Sequence, residues 1–317
     1  MNVVIIGDFP EESKVKIHNS FPADWRVQIT SPADALSCIA EADVIIPEHI
    51  RVGEDFLAAA PKLKLVQTGA GYDNVDIKVC TARGVQVCNA AGVNSQAVAE
   101  HAMALILCFY KNIAYLDSFI KSRRPMDELS YEGAELSGKT IGIIGLGNAG
   151  SRLAALCNAF GMNVLGYSRS PAELPDVRQV GLDTLYRESD IISLHVPLTD
   201  ATRHMINSQA LAQMKSGALL VNTSRGAVIN EAELVDALKN RSIGGACLDV
   251  FEQEPIAEDN PLRSLPNVIL TPHTAGLPDG VKFHQKRYEF FVSNISAVMR
   301  GETPQCALNT VPPAKMP

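Results

Sequence analysis

Short apolar runs rich in β-branched residues recur along the chain, separated by stretches whose apolar positions repeat every three or four residues. The first pattern is typical of strands buried on both faces of a sheet, and the second of amphipathic helices. In the first part of the chain the pattern predicts strands at Val3–Ile6, Val27–Thr30, Val44–Ile46, Leu63–Thr68 and Val85–Cys88. Helices are predicted between them, at Ala33–Ala40, Glu54–Ala60 and Asp76–Ala82 among others. This alternation predicts a parallel sheet with helices on both faces.

A long helical stretch, Asn94–Ser122, follows, and the alternation resumes from Lys139. Strands are predicted at Ile141–Ile144, Asn163–Tyr167, Asp190–His195, Ala218–Asn222, Ala246–Val250 and Val268–Leu270, and helices at Ser208–Lys215, Glu231–Lys239 and Val281–Arg300. The predicted fold class is therefore α/β, with two doubly wound parallel-sheet domains, one of them a Rossmann dinucleotide-binding domain. We assign residues 1–98 plus 289–317 to a substrate domain and residues 99–288 to the dinucleotide-binding domain.

A glycine-rich turn organises the second domain. Gly145, Gly147 and Gly150 form G-x-G-x-x-G, with Asn148 and Ala149 enclosed, where a buried strand must pass into a helix. Such a turn lets backbone N–H groups approach a pyrophosphate, and the helix N-terminus adds partial positive charge. In this context of strand, turn and helix, the motif predicts a bound dinucleotide.

The end of the following strand distinguishes the two nicotinamide cofactors. An NAD site usually carries an acidic residue there, which binds the ribose 2′-hydroxyl. This chain has Ser168, Arg169 and Ser170 instead. An arginine flanked by hydroxyl groups is suited to a 2′-phosphate, which an acidic residue would repel. We therefore predict NADP(H) in preference to NAD(H); the alternative is that Arg169 is an ordinary solvated arginine.

Composition narrows the partners and the compartment. Of the 317 residues 46% are hydrophobic, and the net charge of −7 argues against nucleic acid or anionic membrane as a partner. The longest apolar run, Ala102–Tyr110, is too short to cross a bilayer. The seven cysteines lack C-x-x-C spacing, so reduced thiols in a cytoplasmic protein are expected. No H-E-x-x-H, Cys/His cluster or G-x-S-x-G occurs, so neither a metal site nor a serine hydrolase is predicted.

Three candidate catalytic residues, Arg225, Glu254 and His273, each follow a different predicted strand of the second domain. Because parallel strands present their carboxyl ends at one edge of a sheet, we expect the three to converge beside the nicotinamide. An arginine holds a carboxylate through two hydrogen bonds. A histidine kept cationic by a carboxylate donates a proton to a carbonyl oxygen as hydride arrives. Taken singly, each residue is weak evidence, because a loop histidine and a solvated glutamate are ordinary features; the shared sheet edge strengthens the prediction.

Two further positions leave alternatives open. The turn Gly69–Asp76 (GAGYDNVD) follows a strand, and the N–H groups of its small residues suit a carboxylate. A plain strand-to-helix turn capped by Asn or Asp explains the same residues. His195 also ends a strand, where it either lines the cofactor cleft or is a structural histidine.

Six segments together resemble the D-isomer-specific 2-hydroxyacid dehydrogenase family over nearly the whole chain. They are GAGYDNVD, GKTIGIIGLGNAG, HVPLTDATRHMIN, NTSRGAVINEAELVDAL, LDVFEQEP and TPHTAG. The resemblance implies an NAD(P)-dependent enzyme acting on a small 2-keto or 2-hydroxy acid. It also implies a homodimer, with the region after residue 100 contributing to the interface.

The resemblance further implies roles for individual residues. Arg225 would bind the substrate and act electrostatically, and His273 would be the acid/base with Glu254 as its partner. The backbone of Ala70 and Gly71 would contact the substrate carboxylate. The residues implied near the cofactor are Pro197, Thr202, Thr223, Ala275 and, on the nicotinamide side, Asp249.

Departures from the family pattern indicate the branch. Many relatives carry Asp at the position of Ser168, so the resemblance is to the glyoxylate and hydroxypyruvate reductases, working with NADPH in the direction of reduction. Phosphoglycerate dehydrogenases place an arginine in the loop that here reads Pro47-Glu48-His49, so a phosphate would meet Glu48 and phosphoglycerate is disfavoured. Formate dehydrogenases have an amide in place of Glu254, which disfavours formate.

The leading hypothesis is NADPH-dependent reduction of a small 2-keto acid, such as glyoxylate or hydroxypyruvate, to a D-2-hydroxy acid. One alternative is an NAD-dependent D-2-hydroxyacid dehydrogenase of other specificity. A second is a nucleotide-sensing binding protein like the transcriptional corepressors of the family.

Overall fold

The computed structural model describes residues 1–48, 50–277 and 284–311. The chain divides into two compact units: unit 1 is Met1–Asn94 with Leu277–Pro317, and unit 2 is Ser95–Gly276. The predicted substrate and dinucleotide-binding domains, with boundaries after residues 98 and 288, are defined by what they bind. They therefore stay a prediction.

Both units are built from alternating strands and helices. The strands are β1 (Asn2–Ile6), β2 (Arg26–Thr30), β3 (Val44–Pro47), β4 (Leu65–Gln67), β5 (Gln86–Cys88), β6 (Thr140–Ile144), β7 (Asn163–Tyr167), β8 (Val177–Gln179), β9 (Ile191–Leu194), β10 (Leu219–Asn222), β11 (Gly245–Leu248) and β12 (Val268–Leu270). The α-helices are α1 (Glu11–Asn19), α2 (Ala35–Cys38), α3 (Glu54–Ala59), α4 (Ile77–Ala82), α5 (Ser95–Tyr110), α6 (Ile113–Lys121), α7 (Asn148–Ala159), α8 (Leu182–Glu188), α9 (Ser208–Gln213), α10 (Glu231–Lys239) and α11 (Gln285–Met299).

Each unit contains one parallel sheet in its described residues. Unit 1 has five strands in the order β2-β1-β3-β4-β5, and unit 2 has seven in the order β12-β11-β10-β9-β6-β7-β8. All pairings between these strands are parallel. In both orders the strands run outward in two directions from an early strand, β1 or β6, as in doubly wound folds. The predicted fold class, two doubly wound parallel-sheet domains of which one is Rossmann-type, is confirmed.

The two faces of each sheet pack into separate hydrophobic cores, which explains why the strands are apolar at successive positions. In β1, Val3 and Ile5 belong to one core cluster, whereas the alternating Val4 and Ile6 belong to the other. In unit 2, Leu219 and Val221 of β10 face one cluster and Leu220 faces the second. Because successive side chains of a strand point to opposite faces, a strand covered on both sides must be apolar throughout.

The predicted strands all occur, but two features differ from the prediction. The helical stretch Asn94–Ser122 is not one helix: α5 and α6 meet at a bend of 60°. Asn112 at the break has a φ of 54°, a left-handed conformation that asparagine tolerates better than most residues. The edge strand β8 is absent from the prediction, because it is three residues long and two of them are exposed and polar.

The predicted final helix, Val281–Arg300, corresponds to α11, and residues 281–283 lie outside the described residues. Of the helices that the structure describes, none is by itself long and apolar enough to span a bilayer; α5 and α6 reach that length and composition only as a bent pair.

His195 is half-buried and directly follows β9, and its predicted place in the cofactor cleft stays a prediction. Its backbone N–H donates to the carbonyl of Ile144 at 2.8 Å, and its Nε2 lies 2.9 Å from the hydroxyl of Ser193. Burial lowers the pKa of His195 from 6.5 to about 4, because a charged imidazolium is disfavoured away from water. The ring is therefore neutral at physiological pH.

The depressed pKa of His195 predicts a loss of stability in mild acid. The unfolded chain binds a proton at this residue near pH 6.5, whereas the folded chain does so only near pH 4, so unfolding takes up a proton between these values. We expect His195 to lower the free energy of unfolding by about 1.4 kcal/mol for each pH unit below 6.5, down to its folded pKa. The measurement is urea denaturation of the wild type and of His195→Asn across this pH range.

The difference in unfolding free energy between the two proteins should decrease towards acid pH. His18→Asn, at an exposed histidine, is the matched control and should follow the wild-type profile. Parallel pH profiles for wild type and His195→Asn would contradict the assignment.

Candidate active site

The glycine turn joins β6 to α7 at the carboxyl edge of the unit 2 sheet. Gly145 has a φ of 100°, and a Cβ there would overlap the carbonyl group of His195. A Cβ at Gly150 would overlap the carbonyl oxygen of Gly145. The fold itself therefore requires both glycines. Gly147 differs, because a Cβ there would meet no atom within 4 Å. Open space lies in front of this residue.

The first turn of α7 offers unpaired N–H groups to that space. Gly147 is the N-cap and has no side chain to accept a hydrogen bond, and the first turn carries no acidic residue. The N–H groups of Asn148 and Ala149 have no acceptor among the residues the structure describes. A helix start of this kind binds phosphate groups, so the turn fits the pyrophosphate of a dinucleotide.

Ser168, Arg169 and Ser170 lie beside the glycine turn, because the N–H of Gly145 donates to the carbonyl of Tyr167 at 2.8 Å. The hydroxyl of Ser168 donates to the carbonyl of Ser170 and so closes a tight turn. Arg169 is exposed and forms no ion pair or hydrogen bond with any described residue. This segment thus presents an unpaired cation next to the dinucleotide turn.

The loop after β9 is closed by one threonine hydroxyl. Thr202 Oγ1 donates to the carbonyl of Pro197 at 2.7 Å and accepts the N–H of Thr199 at 2.8 Å. Since the N–H of His195 is bonded to Ile144, this loop begins next to the glycine turn. The structure therefore places Pro197 and Thr202 at the same edge of the sheet, on a loop stabilised by its own hydrogen bonds.

The loop after β10 presents Arg225 and is shaped by the buried Asn222. Asn222 Nδ2 donates to the carbonyl of Arg225 at 2.9 Å, and its Oδ1 accepts the N–H of Ser224 at 3.0 Å. Between them, Thr223 is buried, and its Oγ1 has no hydrogen-bond partner among the described residues. A buried hydroxyl left unpaired is destabilising, so this atom fits a polar group of a bound ligand.

The loops after β10 and β11 are in direct contact. A Cβ at Gly226 would overlap the backbone of Phe251 and Glu252. The N–H of Phe251 in turn donates to Glu254 Oε1 at 3.1 Å. This packing fixes one carboxylate oxygen of Glu254 on the loop that adjoins Arg225.

The other carboxylate oxygen of Glu254 binds His273. His273 Nδ1 lies 2.6 Å from Glu254 Oε2, and each side chain is 31% exposed. The backbone of His273 has a φ of 54°, and its N–H donates to the carbonyl of Asp249 at 2.8 Å. Residues held in sparsely populated conformations cluster at functional sites, where the surrounding structure over-determines them. The pairing sets the ring orientation and directs Nδ1 towards the carboxylate.

The buried carboxylate of Asp249 holds the loop that carries His273. Asp249 Oδ1 accepts the hydroxyl of Thr271 at 2.6 Å and the N–H of Thr274 at 2.9 Å, and Oδ2 accepts the N–H of Ala275 at 2.9 Å. Asp249 is 0% exposed. The structure therefore commits both oxygens of this residue to the loop that follows β12, and Ala275 lies on that same loop.

Three further residues, for which the sequence predicts no role, support this region: Asn222, Thr271 and His101. His101 of α5 has its Nε2 3.1 Å from Thr271 Oγ1 and 3.6 Å from Asp249 Oδ1. Asn222 and Thr271 border strand ends, a signal present in the sequence, whereas the contact of His101 depends on packing. In the described part of the chain, no group of three or more His, Cys, Asp or Glu residues is placed to hold a metal ion.

The turn after β4 in unit 1 carries Ala70 and Gly71. The Ala70 carbonyl accepts from Asn89 Nδ2 at 2.8 Å, whereas the N–H groups of Ala70 and Gly71 have no acceptor among the described residues. Asp76 caps α4, accepting the N–H of Val79 at 3.1 Å. An acidic cap is therefore present, and two N–H groups have no acceptor among the described residues, so the carboxylate-binding role of this turn stays a prediction.

Comparison with known proteins agrees with this arrangement. The sequence model of the D-isomer specific 2-hydroxyacid dehydrogenase, NAD binding domain, matches residues 103–275. Glyoxylate reductase of Thermococcus litoralis is 41% identical over 97% of this chain and 96% of its own length. D-3-phosphoglycerate dehydrogenase of Methanocaldococcus jannaschii is 39% identical over 87% of this chain but 53% of its own.

Among solved structures, the chain is similar to NADPH-dependent glyoxylate/hydroxypyruvate reductase of Sinorhizobium meliloti in complex with NADP and malonate. The two are 27% identical, with a TM-score of 0.88 over 100% of this chain and 99% of that chain. Sequence and structure point to the same group of enzymes. The chain belongs to the D-isomer specific 2-hydroxyacid dehydrogenase family.

Proposed function

We propose that the protein reduces a small 2-keto acid, such as glyoxylate or hydroxypyruvate, to the 2-hydroxy acid, of D configuration where C2 is chiral, with NADPH as reductant. Unit 2 would be the dinucleotide-binding domain and unit 1 the substrate domain. The proposal rests mainly on the His273–Glu254 pair, in which Nδ1 lies 2.6 Å from Oε2. This pair lies at the same carboxyl edge of the sheet as the glycine turn. The full-length similarity to a glyoxylate reductase supports it.

The residues of unit 2 account for the proton and the charge in this reaction. A nucleotide held at the glycine turn would supply the hydride that the carbonyl carbon of the substrate receives. His273 donates the proton on Nε2 to the carbonyl oxygen while Nδ1 stays bonded to Glu254, whose carboxylate offsets the imidazolium charge beforehand. Arg225 binds the substrate carboxylate through its guanidinium and stabilises the negative charge that develops on the carbonyl oxygen.

In unit 1, the N–H groups of Ala70 and Gly71 would bind the substrate carboxylate. Their lack of an acceptor among the described residues supports this role. Backbone N–H groups at such a turn recognise the carboxylate common to all 2-keto acids. Selectivity for the group attached to C2 must therefore come from other residues.

Replacement of His273 should stop turnover without loss of the nucleotide. We expect His273→Ala to lower kcat by about 10²–10⁴-fold, because a positioned general acid contributes that much. Affinity for NADPH, measured by fluorescence titration, should stay within about twofold, since the glycine turn is untouched. Turnover is measured with a panel of 2-keto acids.

Glu254→Gln, which keeps the shape and removes the charge, should also lower kcat while leaving NADPH binding intact. Retention of full activity in His273→Ala would reject the acid/base assignment. A wild-type protein that binds NADPH but reduces none of the 2-keto acids would favour the nucleotide-sensing alternative.

NADPH would be preferred to NADH because Arg169 binds the 2′-phosphate. The side chain is exposed and unpaired among the described residues, next to the glycine turn, and Ser168 stands where an acidic residue would bind the ribose of NAD. The solved relative bound to NADP supports the same choice.

Arg169→Ala tests this contact. We expect the KM for NADPH to rise by roughly tenfold to a hundredfold, the cost of a lost charge-assisted hydrogen bond. The KM for NADH should change by less than about twofold, because NADH has no phosphate at this place. The exposed Arg187→Ala in the same unit is the matched control and should change neither value. Equal effects of Arg169→Ala on both cofactors would refute the phosphate contact.

A second copy of the chain would cover an apolar surface on and after α6. Ile113, Ile120, Met126 and Tyr131 are 52%, 62%, 62% and 51% exposed. Ile113 and Ile120 are seven positions apart on α6 and so share one face of that helix, and exposed apolar patches mark protein interfaces more often than isolated residues do. The family expectation of a homodimer with an interface after residue 100 falls on the same segment.

Ile120→Glu should dissociate this dimer. A carboxylate buried in an apolar interface without a partner is strongly destabilising, so we expect a dimer for the wild type and a monomer for the variant in analytical ultracentrifugation. Val15→Glu, at an equally exposed valine of α1, should remain dimeric. A monomeric wild type at micromolar concentration would contradict the proposal.

The compartment would be the cytoplasm. All seven cysteines are free thiols in the structure, and four of them (Cys80, Cys88, Cys157 and Cys247) are buried. Burial raises the pKa of Cys157 to about 12, so this thiol stays protonated and unreactive. Reduced core thiols are typical of proteins in a reducing compartment.

A further inference from the structure

Glu48 and Arg287 form a largely buried ion pair in unit 1 for which the proposed mechanism has no use. Arg287 Nη2 lies 2.8 Å from Glu48 Oε1, and the side chains are 15% and 17% exposed. In the other lysine and arginine ion pairs of the described residues, at least one side chain is exposed. A buried ion pair is a weak source of stability, because desolvation offsets most of the attraction between the charges.

The pair lies at the carboxyl edge of the unit 1 sheet. Glu48 directly follows β3, and a Cβ on Gly7, which follows β1, would come within 3.0 Å of Glu48 Cβ. The strand order β2-β1-β3 makes this the place where the winding of the sheet reverses, and ligands of open α/β sheets bind at such switch points. The position of Glu48 therefore favours a role in binding.

The guanidinium of Arg287 lies against the turn that the proposed function assigns to the substrate carboxylate. A Cβ on Gly69 would lie 3.7 Å from Arg287 Nη1, and Gly69 is followed by Ala70 and Gly71. The rings of Tyr288 and Phe291 lie 5.3 and 5.6 Å from the guanidinium carbon and hold the group in place. The cation is thus fixed next to the candidate carboxylate site.

Both members of the pair keep hydrogen-bonding capacity. Arg287 Nε and Glu48 Oε1 are both buried, and neither atom has a hydrogen-bond partner among the described residues, although Oε1 lies within ion-pair distance of Nη2. Burial acts to lower the pKa of Arg287, and the Glu48 carboxylate together with Tyr288 more than offsets this, so the pKa is raised and the guanidinium stays charged. The pair as a whole has no net charge, yet offers N–H donors and a carboxylate acceptor side by side.

A hydroxyl group matches these properties, since it is neutral and both donates and accepts. A phosphate or a second carboxylate on the substrate would gain no net electrostatic attraction from a neutral pair. A methyl group would displace water from both charges without replacing its hydrogen bonds. We propose that the Glu48–Arg287 pair binds the 3-hydroxyl of a 3-hydroxy-2-keto acid whose carboxylate lies at the Gly69–Gly71 turn. The pair would thereby determine substrate specificity; this inference rests on the proposed function.

The test compares keto acids that differ only in the group facing the pair. The probes are hydroxypyruvate, pyruvate, which lacks the 3-hydroxyl, and glyoxylate, which lacks C3; kcat/KM is measured for each with NADPH. In the wild type, hydroxypyruvate should exceed pyruvate by roughly tenfold to a hundredfold, as expected for hydrogen bonds to charged groups. Equal efficiency with the two would overturn the proposal.

Glu48→Gln should lower kcat/KM for hydroxypyruvate by about tenfold or more and leave glyoxylate within about twofold. Because this change leaves Arg287 without its counter-charge, oxaloacetate, a 2-keto acid with a second carboxylate, should become a better substrate. This gain distinguishes a lost binding contact from general damage. Glu54→Gln, in the exposed Glu54–Arg83 pair of the same unit, is the matched control and should alter no ratio.

If Glu48→Gln does not fold, the double variant Glu48→Gln/Arg287→Gln leaves no uncompensated charge, and its ratio of hydroxypyruvate to glyoxylate should fall in the same way. Equal losses with hydroxypyruvate and glyoxylate would show a merely structural pair and overturn the inference. A wild type that reduces none of the keto acids would instead overturn the proposed function, and this inference with it.

Discussion

The buried carboxylate of Asp249 is the interaction on which the candidate site most depends. A carboxylate removed from water is tolerated only where hydrogen bonds replace those to the solvent, and here the hydroxyl of Thr271 and the N–H groups of Thr274 and Ala275 do so. Those donors belong to the loop that carries His273. The need to satisfy one buried charge therefore fixes the loop in one conformation, and the loop in turn sets the imidazole against Glu254.

Much of the fold follows from local pattern. Strands covered on both faces must be apolar at successive positions, so a run such as Val3–Ile6 can be recognised in the sequence as a buried strand. A G-x-G-x-x-G turn between a strand and a helix is likewise typical of dinucleotide-binding folds. The break between α5 and α6 does not follow from the apolar pattern, because nothing in it marks Asn112 as left-handed. The edge strand β8 lacks the apolar run that signals a strand, since its pairing with β7 is made by backbone groups of exposed residues.

The candidate site likewise contains residues that could be predicted from the sequence and residues that could not. Arg225, Glu254 and His273 could be selected from sequence because each follows a strand, and parallel strands bring their carboxyl ends to one edge. His101 and Arg287 could not be selected. Their partners, Thr271 and Glu48, are distant in sequence. His101 and Arg287 themselves lie on helices, and the apolar pattern of a helix indicates which face packs but not which residues its polar side chains contact. Long-range polar contacts leave no periodic trace in a single sequence.

The placement of Glu48, Gly69 and Arg287 in one unit, and of Arg225, Glu254 and His273 in the other, has an evolutionary consequence. If the proposed roles hold, the residues that choose the substrate and those that handle the proton belong to units with separate hydrophobic cores. Mutation of the former can then alter what is reduced without disturbing how. Such modularity suits a family in which one chemistry has diversified across many small acids.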